Sequence, residues 1–353
     1  MKSVADGGEK TIMSRKDKFI TNGMLTATSF LWGSAFAFRK IALTYLGVFF
    51  FNGLRFGVSF IVIFSAYLII EKMKKMRGDP TLNDSQIAEK LSAEDSQAAE
   101  KLSADGQQAQ PAAIGEFAQK PMAWQIKSGI LIGFFFGVGS SFQQFGLLLS
   151  DAGKGAFISA LYIFFIPLIN FLVLRKKVEP KIWLGVAIAI VGLFFISLGD
   201  NFNFILGDIF FLMTAFFYAI QIILISRRVI YGNPLFMVSM QLITCSVMSM
   251  VLAIIFERGN TLEGVISALF PIIYTGVLSL GVANLLQFIA QKKANPSVAG
   301  IILSLESVFG AGFAAIILNE RMNLPQITGC GLIFLAIILS QIEKRKRPEK
   351  LRR

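Results

Sequence analysis

The sequence contains no histidine. That absence excludes imidazole acid–base chemistry and most zinc and haem sites. It has two cysteines, Cys245 and Cys330, too few for a disulfide framework or a thiolate metal cluster. Both lie inside apolar runs, where ordinary helix packing is expected. Charge is also scarce. Asp, Glu, Lys and Arg make up 16% of the 353 residues, against roughly 25% in an average soluble domain. In contrast, 54% of the residues are hydrophobic, with 35 Phe and 31 Gly. A water-soluble fold of this length could not hide that much apolar surface, so the solvent is expected to be a lipid bilayer. Abundant Gly beside bulky apolar residues fits helices that must pack closely within it.

An apolar helix needs about 20 residues to cross the hydrocarbon layer. Ten runs qualify: 19–38, 47–70, 126–148, 155–174, 181–198, 206–226, 234–256, 267–290, 297–318 and 324–342. Turn-forming or charged clusters separate them, such as Asp151-Ala152-Gly153-Lys154 and Gly232-Asn233-Pro234. The first 18 residues are polar, and the run that follows is too long for the apolar core of a cleavable signal. The net charge of +12 could indicate nucleic acid, but its distribution points elsewhere. With both termini in the cytoplasm, 28 of the 34 Lys and Arg residues fall on that side. This is the bias expected of a multi-pass protein of the cytoplasmic (inner) membrane.

The chain also repeats itself. A shift of 144 residues superposes Gly137 on Gly281, Gln143 on Gln287, Ile158 on Ile302 and Leu161 on Leu305. Spans three to five thus match spans eight to ten. Spans one and two match six and seven more weakly, at an offset near 186. Five spans per half place the second copy in the opposite orientation. The expected fold is therefore all-α and integral to the membrane, with ten transmembrane helices in two inverted five-helix repeats. That layout is typical of secondary transporters. The expected units are a cytoplasmic tail (1–18), the first repeat (19–199), the second repeat (200–343) and a basic cytoplasmic tail (344–353). A cytoplasmic insertion occupies about 78–120. It carries an 11-residue repeat beginning at Ser85 and again at Ser96, and reads either as a solvated linker or as a docking segment.

Polar side chains inside a bilayer are costly and therefore informative. Glu306 is the only carboxylate near the middle of any run. It reads as a site for proton or cation coupling or a substrate amine, or as a structural hydrogen-bonding group. Gly281, Asn284, Gln287 and Gln291 form a polar stripe on span eight, and Ser140 and Gln143 sit at matching positions on span three. Such amides either bind a polar solute or tie helices together. Ser29, Trp32, Gly33 and Phe36 on span one, and Thr214, Tyr218 and Gln221 on span six, form further stripes. Tyr162 takes the repeat position of Glu306, which breaks the pseudo-symmetry there. Arg39, Lys40 and Arg55 lie near the outer ends of spans one and two. They are expected either to snorkel to the interface or to form a positive outer vestibule. Pro167 is expected to open the backbone of span four.

Several segments carry a family resemblance. Leu31-Trp32-Gly33-Ser34, Leu54-Arg55-Phe56, Gly153-Lys154-Gly155-Ala156-Phe157-Ile158 with Pro167, Leu303-Ser304-Leu305-Glu306-Ser307-Val308-Phe309 and Asn319-Glu320-Arg321 together resemble the EamA-like family of the drug/metabolite transporter superfamily. The likeness covers about 19–342 apart from the insertion. The chain departs at Ser307, where Pro often follows the Glu, and at Asn319, where Gly is usual. The resemblance implies ten spans around a cavity lined mainly by spans one, three, four, six, eight and nine. It also implies carriage of small metabolites, often export of amino acids or related compounds. Four-span relatives that pump cationic drugs carry an acidic residue in span one, and this chain has none there.

The expected function is alternating-access transport of a small metabolite, an amino acid or related polar or aromatic compound, in the export direction. Trp32, Gln143, Tyr162, Tyr218, Asn284, Gln287 and Glu306 are the expected binding residues, with Glu306 also the coupling group. No cofactor, metal or nucleic acid is expected; the partners are the solute, the bilayer and, at Glu306, a coupling proton. Enzyme chemistry is disfavoured by one central carboxylate and no histidine. The alternatives are a proton-coupled multidrug exporter and a membrane scaffold or anchor without transport.

Overall fold

A computed structural model describes residues 15–77, 120–173, 180–198, 205–321 and 323–341. The 11-residue repeat of the insertion and the basic C-terminal tail lie outside those residues. Every regular element among the described residues is helical. The first half of the chain contains α1 (Arg15–Ala42), α2 (Val48–Met76), α3 (Met122–Leu149), α4 (Ala152–Ser159), α5 (Tyr162–Leu172) and α6 (Pro180–Leu198). The second contains α7 (Leu206–Arg228), α8 (Pro234–Phe256), α9 (Leu262–Ser267), α10 (Leu269–Ile273), a π-helical stretch (Tyr274–Val282), α11 (Ala283–Gln291), α12 (Pro296–Leu303), α13 (Glu306–Ile317) and α14 (Leu324–Gln341).

Among the described residues, seven helical stretches are long and apolar enough to cross a membrane: Val48–Met76, Met122–Leu149, Ala152–Leu172, Leu206–Tyr231, Pro234–Phe256, Leu269–Gln291 and Pro296–Ile317. Shorter apolar segments lie at Trp183–Gly192 and Leu324–Ala336. Helix α1 is long enough but dilutes its apolar surface with hydroxyls. Most of those hydroxyls point inward. Thr28 donates to the Ala283 carbonyl at 3.1 Å, Ser29 to the Ile302 carbonyl at 2.9 Å, and Ser34 pairs with the Tyr274 hydroxyl at 2.7 Å.

Helix starts follow their capping residues. Asn233 and Asn295 each precede a proline at the first helical position, and their side chains accept from the amides of Leu235 and Ser297 at 3.0 Å. This arrangement satisfies a free N-terminal donor where proline has none. Asp208 accepts from the Ile205 amide at 3.0 Å, as a residue capping the start of α7 should. At the end of α13, Asn319 adopts φ 56°. This left-handed conformation favours Gly and, after it, Asn, which explains how Asn319 stands where Gly is usual.

Two apolar runs that read as single spans are each broken. The first parts, α4 and α12, run 152–159 and 296–303. They lie 144 residues apart, the offset that superposes the sequences. The second parts open with Tyr162 and Glu306. Tight i→i+3 bonds bridge both breaks, from Leu161 N to Ile158 O and from Leu305 N to Ile302 O, each 3.1 Å. Pro167 lies inside α5, downstream of the break. The matching position in α13 is Ala311, so proline does not account for the shared interruption.

Helices from the two halves of the chain interleave. Helix α1 packs mainly on α13 and α11, α2 on α8, α3 on α7 and α8, and α6 on α14. Glycines permit the closest approach. A Cβ at Gly33 would come within 2.6 Å of Phe309 Cβ and 2.7 Å of the Glu306 carbonyl oxygen, so α1 and α13 meet backbone to side chain there. Cys245 is buried and donates to the Gly133 carbonyl at 3.1 Å, the packing role its apolar run suggests.

Candidate functional site

The interleaved helices enclose a polar cavity lined by Trp32, Arg39, Arg55, Phe136, Gln143, Tyr218, Ser279, Leu280 and Glu306. Its volume is about 20 Å³, enough for roughly one water. Trp32, Gln143, Tyr218 and Glu306 are four of the seven expected binding residues. They come from α1, α3, α7 and α13, so both halves of the chain contribute.

Gln143 is the hub. Its Oε1 accepts from Arg39 Nη1 and, at 3.1 Å, from the Tyr218 hydroxyl. Its Nε2 donates to Ser159 Oγ at 3.3 Å, at the end of α4. Trp32 Nε1 donates to the Ser279 carbonyl at 2.9 Å. That carbonyl belongs to the π-helical stretch, a departure from α-geometry that often marks functional sites. Glu306 is almost fully buried and opens α13, where the free backbone amides of a helix start favour a carboxylate. Its Oε1 has no hydrogen-bond partner within the protein.

The other expected residues lie around this cavity. Tyr162 is fully buried with its hydroxyl near the Glu306 carboxyl. Asn284 is already engaged: it donates to the Leu280 carbonyl one turn back at 2.7 Å and accepts from Gln241 of α8 at 3.3 Å. Gln287 is buried beyond the lining, and neither amide atom has a protein partner.

The vestibule expectation needs correction for two of its three residues. Arg39 and Arg55 are 5% and 1% exposed and line the cavity. Arg39 Nε donates to the Ala35 carbonyl at 3.2 Å, and its guanidinium sits 4.2 Å from the Phe36 ring centre. Arg55 donates from Nε to Asn52 at 2.9 Å and from Nη2 to Ser140 at 2.6 Å. Arg39 falls seven residues after Trp32 and three after Phe36, so it continues their stripe. Its nearness to the helix end obscured that periodicity. Lys40 does lie at the rim, where it pairs with Asp151 at 3.2 Å and Glu320 at 3.0 Å. Phe136, Ser279 and Leu280 also line the cavity and carry no distinguishing signal in the sequence. Phe136 and Leu280 look like any apolar core position, and Ser279 contributes through its backbone.

Three kinds of likeness place the chain. The sequence profile of the EamA-like transporter family matches residues 205–341. An uncharacterized transporter of Archaeoglobus fulgidus is 31% identical over 61% of this chain and 69% of its own length. An uncharacterized transporter of Methanothermobacter thermautotrophicus is 29% identical over 55% of this chain and 58% of its own length. One crystal structure superposes with a TM-score of 0.61 at 16% identity, over 91% of this chain and 96% of that one, which speaks to the fold alone. With the motifs, the helical architecture and these relatives together, the chain belongs to the EamA-like transporter family.

Proposed function

We propose that this chain is a secondary transporter that carries a small metabolite through the cavity between its repeat regions. The observation that carries the reading is the convergence of Trp32, Gln143, Tyr218 and Glu306, from both regions, on one enclosed polar space. Ten spans complete the proposed topology: the seven long apolar stretches joined by α1, α6 and α14. The breaks at Ser159 and Leu303, 144 residues apart, support two related halves. Five spans in each make the second half inverted, with both termini at the cytoplasmic face of the inner membrane. Alternating access then follows if the halves rock about the cavity. Amino acids or related compounds are the solute class and export the direction that the family resemblance suggests. An enzymatic role has little support in a site with one carboxylate and no activated nucleophile.

Purified protein in liposomes is expected to take up radiolabelled amino acid saturably. Gln143→Ala and Glu306→Gln should each slow the initial rate roughly tenfold, the scale of a lost hydrogen bond to a charged group. Uptake that rises linearly with concentration and ignores both substitutions would discard the reading. Proton-coupled export is the second reading, favoured by Glu306 being the carboxylate in the cavity lining. It requires uptake to respond to an imposed pH gradient, and Glu306→Gln to abolish that response.

A further inference from the structure

Two guanidinium groups face one small cavity. Arginine keeps its charge in proteins, and a buried charge is costly unless an opposite charge meets it. Here each arginine is held by neutral acceptors. Arg39 spends Nε and Nη1 on the Ala35 carbonyl and Gln143. Arg55 spends Nε and Nη2 on Asn52 and Ser140. Arg39 Nη2 and Arg55 Nη1 are left without a protein hydrogen bond among the described residues. Glu306 is the single carboxylate in the lining, and no ion pair joins it to either arginine. Two cations against at most one anion leave the cavity with surplus positive charge.

We propose that Arg39 and Arg55 form an anion subsite in this cavity, and that it takes the carboxylate of the carried solute. This deepens the transporter reading and rests on it. A carboxylate brings the negative charge that answers this surplus. The planar forks of arginine match a carboxylate's two oxygens. Ring contacts fix both forks: Arg39 lies over Phe36 at 4.2 Å, and Arg55 lies 5.0 Å from Phe56 and 5.5 Å from Phe51. An anion between the two cations also relieves their mutual repulsion. Trp32, Phe136 and Tyr218 supply aromatic walls for an apolar body attached to that anion. The cavity in this conformation is far smaller than such a solute, so the subsite fills when the halves part.

The full-length protein in detergent can be melted at fixed ionic strength with sodium phenylacetate, phenylalanine, neutral phenylacetamide or inorganic phosphate. Phenylacetate and phenylalanine are expected to raise the melting temperature, because a ligand of the folded state stabilises it. Phenylacetamide and phosphate are expected to leave it unchanged. Arg39→Gln and Arg55→Gln should weaken the carboxylate effect about ten- to hundredfold in concentration. Equal stabilisation by phenylacetate and its amide overturns the subsite, as does stabilisation by phosphate instead. A folded Arg55→Gln variant that keeps the carboxylate response also overturns it. If both variants fail to fold, the carboxylate–amide contrast in the unaltered protein still decides. Liposome uptake separates this from the broader reading. Saturable uptake of phenylacetamide that survives Arg39→Gln leaves a transporter without this subsite. Saturable uptake of none of the four probes counts against transport, while the melting contrast still reports on the arginines.

Discussion

The two ends of the helix bundle solve the burial of polar groups differently. At the Ala42 end of α1, polar groups find ionic partners. Lys154 and Asp208 are nearly fully buried and meet at 3.0 Å. Glu320 accepts from the Ala152 and Gly153 amides at 3.1 and 3.0 Å and holds Lys40 as well. Glu257 accepts from the Phe49 and Phe50 amides at 2.7 and 2.8 Å, capping α2. Toward the Arg15 end, buried amides lie idle. Gln287 and Gln291 each have both amide atoms unpartnered within the protein, and Gln221 lacks a partner for Nε2. The Ala42 end is latched across the two halves of the chain by specific bonds, although Asn52 Nδ2 and Gln144 Oε1 there also lack a protein partner. The other keeps polar groups that gain nothing from this packing. In a carrier, idle buried amides make sense if another conformation wets them.

The contrast is broken most directly at Asp208. Asp208→Asn removes the buried Lys154–Asp208 pair and also weakens the cap of α7. Removing one partner of a buried pair costs about 3–5 kcal/mol, so a large fall in melting temperature is expected. A fall no larger than that of an exposed substitution would mean that this end is not latched by charge.

At the opposite end the sign reverses. Gln287→Leu replaces an unpartnered buried amide with an apolar side chain of similar size. An unsatisfied buried group costs about 1–3 kcal/mol, so this variant should melt higher than the parent while carrying solute more slowly. A lower melting temperature would show that the Gln287 amide is satisfied after all, and the contrast between the ends would collapse.

Much of this was legible in the sequence, for identifiable reasons. Apolar runs bounded by Asn-Pro or charged clusters locate the helices, because capping and lipid burial are local rules. The 144-residue repeat pairs Tyr162 with Glu306, and both open the second part of a broken helix. The breaks themselves were not legible. An unbroken apolar run gives no sign of an interruption, and the one expected cause, Pro167, lies past the break. Arg39 and Arg55 show a different limit. Distance from a helix end predicts exposure only when no neighbouring helix covers that end. Here α3 brings Ser140 and Gln143 against them, a tertiary fact that spacing along α1 and α2 does not contain. Asn284 shows why an amide stripe is ambiguous: it bonds its own preceding turn and Gln241 of α8, while Gln143 on the matching stripe meets the cavity.

The smallest effect is expected at the rim of the latched end. Lys40 contacts both Asp151 and Glu320, yet its side chain is 30% exposed and that of Asp151 is 69% exposed. Solvent screens such pairs, and an exposed ion pair contributes only about 0–1 kcal/mol. Lys40→Gln should therefore shift the melting temperature little. Its effect on conformation is the sharper test, because Glu320 also holds the Ala152 and Gly153 amides and so keeps most of its bonds. If the latch resides in Glu320 and the Lys154–Asp208 pair, Lys40→Gln leaves transport rates close to those of the parent even at low salt. A marked rate change at low salt that high salt erases would move the latch outward, to the exposed lysine.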